Sequence, residues 1–382
     1  MTDEHANGTG DGSGTEPDAG TVDGAEVDET TVDVVVVGGG PAGSSATVFA
    51  ARYGLETVVF DRGNSALRRC AYLENYLGFP GGVDVDVFHD LVHAHVAEMG
   101  ARRVEELVDA VERLGRSEDD QAVDGAGDAN DRDDARFRVR TQEGTTVLAT
   151  DVVAAAWYDG SYLRPLEATA PDGGGDLFVE HEHHGEVEER FDPEYADDGG
   201  RTPIDGLYVA SPSGARSAQA VVAAGNGAHV ARSLIEDRRR ARGLSGEVAP
   251  EYDWLRQASE FSGEWADRDR WREWFENELG DDHDLDDDEL ADLRDDYVEE
   301  AFETRVDDAT VDERAERGLA AFVDVVGLER ITDAVGAEAV VDAVGAEAVV
   351  DAVGADAVLD AVDDEAIRER AAVDDAITEA SD

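Results

Sequence analysis

The stretch Val32-Asp33-Val34-Val35-Val36-Val37-Gly38-Gly39-Gly40-Pro41-Ala42-Gly43 joins a run rich in valine directly to a glycine turn. The valines suit a strand that is covered on both faces, and the proline suits the first turn of a helix, where its missing N–H costs little. The glycines form G-x-G-x-x-G, which allows a tight turn, the approach of a pyrophosphate and close packing of helix on strand. We therefore expect the phosphates of a dinucleotide to bind at the start of this helix. The predicted phosphate site consists of Gly38, Gly40, Pro41, Ala42 and Gly43.

A second apolar run, Leu55 to Phe60, ends at Asp61, about 20 residues after the turn. An acidic side chain at this position accepts hydrogen bonds from the ribose of an adenosine. We place Asp61 and its neighbour Arg62 in the predicted site. The alternative is that the glycines form only a tight packing turn, without a ligand.

Two further segments resemble the thioredoxin reductase family of flavoproteins. Leu73-Glu74-Asn75-Tyr76-Leu77-Gly78-Phe79-Pro80, which precedes a predicted helix over 84–99, is similar to the family's E-N-Y-x-G-F-P segment. Gly206 to Ala210, running into Gln219 to Ala228, resembles the family's second FAD motif, a strand followed by a helix that begins under the flavin. The parts of the chain that carry the resemblance are about 31–115 and 200–236.

The resemblance implies an α/β fold with a three-layer Rossmann-like domain, and FAD rather than NAD as the cofactor. It adds to the predicted binding site Asn75, Gln219 and Ala220. Where the family motif continues Ala-Gly-Asp, this chain has Ala210-Ser211-Pro212-Ser213, so a carboxylate that helps to hold the flavin side is missing. A hydroxyl of Ser211 or Ser213 can replace part of those hydrogen bonds, although an uncharged partner is weaker. We include Ser211 in the predicted site.

The family also has an NADPH-binding domain, inserted between the two FAD segments, with its own glycine fingerprint and a redox C-x-x-C. This chain has no second G-x-G-x-x-G in that interval, and its single cysteine is Cys70. Since disulfide exchange needs a resolving thiol, a dithiol mechanism is excluded. We expect the FAD half alone, with strands over 136–140 and 145–150 and a further buried strand over 152–156.

Composition sets the surroundings in which such a protein works. Against 92 acidic residues stand 32 basic ones, all of them arginine, and the net charge is −60. Such a chain repels itself at low salt and stays hydrated at high salt, which indicates a halophile. The charge argues against nucleic acid or an anionic membrane as a partner. Because no run reaches about 18 apolar residues and no signal peptide is evident, we expect a cytoplasmic protein without a membrane span.

The chain divides by composition into several parts. Residues 1–30 are poor in large apolar side chains and are expected to form a disordered acidic tail. The FAD-binding domain is predicted over 31–240, with an acidic surface loop over 117–134. An aromatic and acidic helical extension follows over 245–330. Residues 331–382 carry a nine-residue repeat containing Asp-Ala-Val-Gly, which predicts short helices that pack or self-associate, so we include a homo-oligomer among the expected assemblies.

In the extension, Trp271, Trp274 and Phe275 lie at i, i+3 and i+4, which predicts a buried stripe on a helix. We expect the stripe to pack on the side left open by the absent NADPH domain, and a substrate-binding aromatic cage is the alternative. The acidic segment 280–296 is predicted to be a solvated connection, because its spacing does not fit an EF-hand loop.

Two small groups of residues each allow two interpretations. If the run His181 to His184 forms a strand, its alternate residues share one face. On that face they would either bind a transition metal or lie exposed at a strand edge. We predict no metal site. Arg68 and Arg69 lie beside Cys70, which favours its thiolate. Cys70 is therefore either a reactive thiol near the flavin or a small buried residue.

We expect an FAD-dependent oxidoreductase of unknown substrate, with no residue assigned as catalytic and with an unknown small-molecule or protein electron donor. The alternative is a noncatalytic FAD- or nucleotide-binding protein with a structural or regulatory ligand, suggested by Pro212 in place of the motif's Asp. A lesser alternative is a geranylgeranyl reductase-type flavoenzyme, which the segment Gly38 to Ala46 resembles. The E-N-Y segment at Glu74 points away from it.

Overall fold

The computed structural model describes residues 30–115, 135–156, 160–171, 173–183, 186–252, 254–279, 283 and 285–335. The predicted acidic tail before Thr30, the acidic loop over 117–134 and the repeats after Val335 lie outside the described residues.

The described elements alternate strands and α-helices as far as Val104, and several strands then precede the next α-helix. The strands are β1 (Thr30–Val37), β2 (Thr57–Phe60), β3 (Arg102–Val104), β4 (Val108–Arg113), β5 (Phe137–Thr141), β6 (Thr146–Ala154), β7 (Phe178–His183), β8 (Glu186–Phe191), β9 (Leu207–Val209), β10 (Arg256–Gln257) and β11 (Arg305–Val306). The helices are α1 (Pro41–Arg52), α2 (Val85–Glu98), α3 (Ala220–Ala241), α4 (Arg268–Leu279), α5 (Asp287–Glu303), α6 (Asp308–Val326) and α7 (Leu328–Val335).

A seven-stranded sheet, in the order β3-β2-β1-β6-β5-β4 with β9 also paired to β6, lies at the centre. Strands β1, β2, β3, β6 and β9 are parallel to their neighbours within this set, whereas β5 is antiparallel to both β4 and β6. The parallel strands bring their carboxyl ends to one edge, where ligands bind in open α/β sheets.

Strand β6 corrects the prediction of separate strands over 145–150 and 152–156, because it is one continuous strand. On one side it pairs with β1 along its whole length; on the other, its first half pairs with β5 and Val152 to Ala154 pair with β9. The hydrophobic pattern changes within the strand because its neighbour changes, although the backbone runs on without a break.

The valines of β1 divide between two hydrophobic clusters, one on each face of the sheet. Val34 and Val36 pack with helices α1 and α3, whereas Val35 and Val37 pack with the short helical segment Ser161–Thr169 and the β7–β8 hairpin. A sheet covered on both faces is the three-layer Rossmann-like arrangement, so the predicted fold class is confirmed.

The aromatic stripe is buried, but not where the sequence placed it. Phe275 packs with α5 and with the segment 244–249 that follows α3, and Trp271 stacks on Phe261 with the ring centroids 5.6 Å apart. Among the described residues, all members of these two clusters lie at or after Leu244, so the stripe packs within the extension itself and not on the sheet. The expected packing on a side left open by an NADPH domain is therefore not what buries the stripe.

The acidic segment over 280–296 is also corrected in part, because α5 begins within it. Asp286 accepts hydrogen bonds from the N–H groups of Asp288 and Glu289, and the Glu289 side chain accepts one from the N–H of Asp286. This capping box and the acidic first turn stabilise the start of a helix, so the acidic residues belong to α5 rather than to a connection. None of the helices that the structure describes is long and apolar enough to cross a bilayer.

Candidate dinucleotide-binding site

A cavity of ≈ 470 Å³ lies where the carboxyl ends of β1 and β2 meet the amino ends of α1 and α3. Its wall contains every residue of the predicted site except Gly43, which packs behind it. The predicted residues on the wall are Gly38, Gly40, Pro41, Ala42, Asp61, Arg62, Asn75, Ser211, Gln219 and Ala220. Residues from three separate segments thus come together at one cavity.

The three motif glycines have different surroundings. Gly38 has φ +111°, and a Cβ there would lie 2.7 Å from the nitrogen of Ala156, while a Cβ on Gly43 would lie 1.7 Å from the oxygen of Gly38. Packing explains both of these glycines. A Cβ on Gly40 would meet only the Oγ of Ser65, at 3.4 Å. Gly40 therefore opens onto the cavity, which a tight packing turn alone does not require.

The amino ends of α1 and α3 face the cavity without side chains that neutralise them. Gly40 precedes α1 and Gln219 precedes α3; neither supplies a side-chain cap, and neither helix has an acidic residue in its first turn. The free N–H groups and the positive ends of both helix dipoles are thus available to an anion.

Asp61 is buried at the end of β2 and held by three neighbours. Its Oδ1 accepts a hydrogen bond from the N–H of Gly63 at 3.0 Å, and its Oδ2 lies 3.1 Å from His93 Nε2 and 3.8 Å from Arg103 Nη1. Burial alone would raise the pKa of Asp61, but the hydrogen bonds and the charges of His93 and Arg103 outweigh it and hold this pKa below its usual value. The carboxylate is therefore ionised and fixed, as an acceptor for ribose hydroxyls should be.

A hydrogen bond joins the two distant segments that carry the resemblance. Asn75 Nδ2 donates to Gln219 Oε1 at 2.9 Å, across the cavity wall. In the second motif, Asn226 Nδ2 donates to the oxygen of Ala210 at 2.7 Å and holds the strand end against α3. Ser211 is buried on the wall, 3.3 Å from the Oγ of Ser217.

Comparison with known proteins agrees with this geometry. Residues 32–156 match the sequence model of the family described as pyridine nucleotide-disulphide oxidoreductase. This match covers about a third of the chain and includes the glycine turn and Asp61.

The chain also has curated relatives in mycobacteria. It is 32% identical over 166 residues to a bifunctional thioredoxin reductase/thioredoxin from Mycobacterium leprae, a match that covers 40% of this chain and 34% of the relative. It is 35% identical over 89 residues to a thioredoxin reductase from Mycolicibacterium smegmatis, which covers 23% of this chain and 29% of the relative. The chain thus spans about a third of the length of these relatives.

Solved structures of similar proteins include two thioredoxin reductases. The enzyme from Gloeobacter violaceus is 17% identical, with a TM-score of 0.38 over 59% of this chain and 98% of that one. The enzyme from T. acidophilum is 17% identical, with a TM-score of 0.38 over 55% of this chain and 99% of that one.

The wall of this cavity also contains residues that the sequence did not single out. Ser65 accepts a hydrogen bond from the N–H of Leu67 and lies beside Gly40. Glu106 accepts a hydrogen bond from Thr141 at 2.6 Å. The turn signal Gly63-Asn64-Ser65, directly after Asp61, could have indicated Ser65, whereas Glu106 has no local signal because β5 positions it.

Cys70 lies on the same wall and is exposed, so the interpretation as a buried residue is wrong. Its Sγ donates to the oxygen of Tyr72 at 3.2 Å. Arg68 bonds instead to the oxygen of Gly63 and to Asp86. Cys70 therefore lies next to any ligand that binds in this cavity.

His181 lies exposed on β7, paired in register with Glu188 of β8. The described part of the chain holds no group of three His, Cys, Asp or Glu side chains that could bind a metal ion. His184 lies outside the described residues.

Proposed function

We propose that the domain built on the seven-stranded sheet, which we name the oxidoreductase domain, binds FAD in the cavity at the amino ends of α1 and α3 and acts as an FAD-dependent oxidoreductase. The observation that carries this proposal is the open space beside Gly40. A side chain there would enter the cavity, whereas packing explains why Gly38 and Gly43 are glycines. The relatives named as thioredoxin reductases support the same class of chemistry.

Each part of the site has a task in this proposal. The N–H groups at the start of α1, with Arg62 nearby, would hold the pyrophosphate, and Asp61 would accept hydrogen bonds from the adenosine ribose. The start of α3, steadied by the bond from Asn75 to Gln219, would lie near the flavin. Ser211 would offer a hydroxyl next to Pro212, the position at which the family motif has a carboxylate. Bound FAD would supply the electron-transfer chemistry.

The proposed reaction does not pass through a dithiol, because the chain has one cysteine. Electrons would come from a free nicotinamide nucleotide, a protein donor or the substrate, and the setting proposed is the cytoplasm. Cys70→Ser should therefore leave reduction of the flavin intact. Loss of reduction in that variant would assign the cysteine a part in the reaction.

The test begins with the visible spectrum of the purified chain and its bleaching under anaerobic conditions by NADH or NADPH. Gly40→Val should abolish copurification of FAD, because the new side chain fills space that the pyrophosphate needs. Gly81→Val is the matched control, since a Cβ on Gly81 has nothing within 4 Å. Stoichiometric FAD in Gly40→Val would overturn the site.

Asp61→Ala should weaken FAD binding by about 1–3 kcal/mol, the cost of unpaired ribose hydrogen bonds. The exposed Glu143→Ala is its control and should leave the affinity unchanged. If FAD binds but neither a nicotinamide nucleotide nor dithionite bleaches it reversibly, the noncatalytic alternative replaces the oxidoreductase.

A further inference from the structure

We infer that the chain has a second ligand site, for a small aromatic phosphate such as a nucleoside monophosphate, between the oxidoreductase domain and the helical extension. A second cavity, of ≈ 480 Å³, lies at the carboxyl ends of α1 and α3. It falls within the size range of small-molecule sites. This inference is independent of the proposed function.

The second cavity is separate from the first. Helix α1 has 12 residues and is therefore about 18 Å long. The first cavity lies at Gly40 and Pro41, and the second at Phe49 to Leu55, beyond the other end of the helix. One ligand of nucleotide size cannot reach from one cavity into the other.

The charge of the second cavity is opposite to that of the chain. Its wall holds five arginines and three glutamates, whereas the whole chain has 32 basic and 92 acidic residues. The arginines of the wall are Arg52, Arg232, Arg239, Arg242 and Arg256. A surface patch of this chain would ordinarily be acidic, so an excess of arginine at one cavity indicates an anionic ligand.

The arginines of the second cavity differ in their hydrogen bonds. Arg239 is buried and donates to the oxygens of Val248 and Ala249, so its role is structural. Arg232 Nε donates to the oxygen of Glu251, and its guanidinium lies over the ring of Tyr252. The guanidinium of Arg256 lies over the ring of Trp271. Within the described residues, the Nη atoms of Arg232 and Arg256 donate no hydrogen bond. A guanidinium presents these donors in a planar fork that matches a phosphate.

Two exposed aromatic rings stand at the mouth of the cavity. Tyr252 is 51% exposed and Trp254 is 68% exposed, and their ring centroids lie 6.1 Å apart. Rings of this size are usually more buried, and an exposed pair beside arginines offers a surface on which a flat heterocycle can stack. The combination of unused guanidinium donors and exposed rings selects a ligand that carries both a phosphate and an aromatic ring.

The experiment measures binding of 5′-AMP, adenosine and inorganic phosphate to the full chain at one fixed salt concentration, because salt screens the arginines. AMP should bind at least about tenfold more tightly than either adenosine or phosphate, and the fluorescence of Trp254 should change on binding. Equal binding of phosphate and AMP would overturn the stacking, and the absence of saturable AMP binding would overturn the site.

Matched double variants locate the bound AMP. Arg232→Gln with Arg256→Gln should lower AMP affinity at least about tenfold, whereas Arg140→Gln with Arg190→Gln, the same charge change at partly exposed positions, should leave it within about twofold. Gly40→Val should not alter AMP binding. If Gly40→Val abolishes it while the Arg232/Arg256 variant keeps it, the nucleotide occupies the first cavity and the inference fails.

The exposed rings have one competing use, as a contact between copies of the chain. Sedimentation of the wild type and of Trp254→Ala without ligand should give the same mass. A lower mass for Trp254→Ala would show that the rings join two chains, and would overturn the second site.

Discussion

The amino ends and the carboxyl ends of helices α1 and α3 differ in their residues. At the amino ends, the first turns carry no acidic side chain, and Gly38, Gly39 and Gly40 line the adjoining cavity. At the carboxyl ends, the last turns carry Arg52 and the run Arg238 to Arg240. Cations at the carboxyl ends interact favourably with the negative ends of the helix dipoles. Amino ends without acidic side chains leave the positive ends of the dipoles available to an anionic ligand. A strongly acidic chain thus keeps acids out of the first turns of both helices.

The same difference applies to packing. At the amino ends the helices touch backbone to backbone, because a Cβ on Gly227 would lie 1.9 Å from the oxygen of Ala42. At the carboxyl ends, the long side chain of Arg239 joins α3 to Val248, Ala249 and Glu251. The contact at Gly227 cannot accept an added atom, whereas the carboxyl end depends on a charged group.

The largest expected effect is at the backbone contact. Gly227→Val should destabilise the chain by more than about 3 kcal/mol or prevent folding, because the contact with Ala42 is to backbone and cannot yield. Gly225→Val, one half-turn away in the same helix, has nothing within 4 Å and should be nearly neutral. Thermal and denaturant unfolding of both variants measures the difference. A folded Gly227→Val of wild-type stability would show that the helices do not approach so closely.

A smaller effect is expected at the carboxyl end. Arg239→Gln should cost about 3 kcal/mol of unfolding free energy, because it leaves two carbonyl oxygens and Glu251 without their cation. Its neighbour Arg240 is exposed and pairs with Glu236 at i and i+4, so Arg240→Gln should cost no more than about 0.5 kcal/mol. Unfolding in urea measures both variants. Equal decreases in the free energy of unfolding would show that Arg239 does not stabilise the contact between α3 and the segment 248–251.

The smallest effect concerns His89, on α2 behind the wall of the first cavity. Burial, together with the positive charges of Arg68 and His93, lowers the pKa of His89, and its Nε2 has no hydrogen-bond partner among the described residues. In the unfolded chain His89 takes up a proton near the ordinary histidine pKa of about 6.5, whereas in the folded chain it takes up that proton only at lower pH. The free energy of unfolding should therefore be highest above about pH 6.5 and should fall as the pH is lowered below it.

Unfolding free energies measured across that pH range give the check. In His89→Gln the decline should be shallower than in the wild type, and the exposed His181→Gln should behave as the wild type does. A decline that is unchanged in His89→Gln would assign the pH dependence to other groups.

The contrast between the two ends also explains which parts could be predicted from sequence. At the amino ends, the glycine motif and the acid after β2 are local patterns of a few residues, and the helix start after Gln219 was implied by the family resemblance. The same locality placed α2, whose predicted range of 84–99 agrees with the observed helix. These signals depend on backbone geometry, which sequence spacing fixes closely.

The carboxyl ends could not be predicted in this way. Arg52, Arg232 and Tyr252 are far apart in the chain and meet only through packing. The stripe of Trp271 and Phe275 showed that one helix face is buried, but a stripe carries no information about what covers it. The prediction of two separate strands in place of β6 was wrong for a related reason. When the neighbouring strand changes along β6, the hydrophobic pattern changes as it would between two strands.

The position of Cys70 makes the chain easy to label. It is the single thiol of a protein without lysine, and it is exposed on the wall of the first cavity. A maleimide fluorophore will therefore attach at one known place, a few side chains from the glycine turn. Its emission will report directly when that cavity fills or empties, in the intact chain and without any engineered residue.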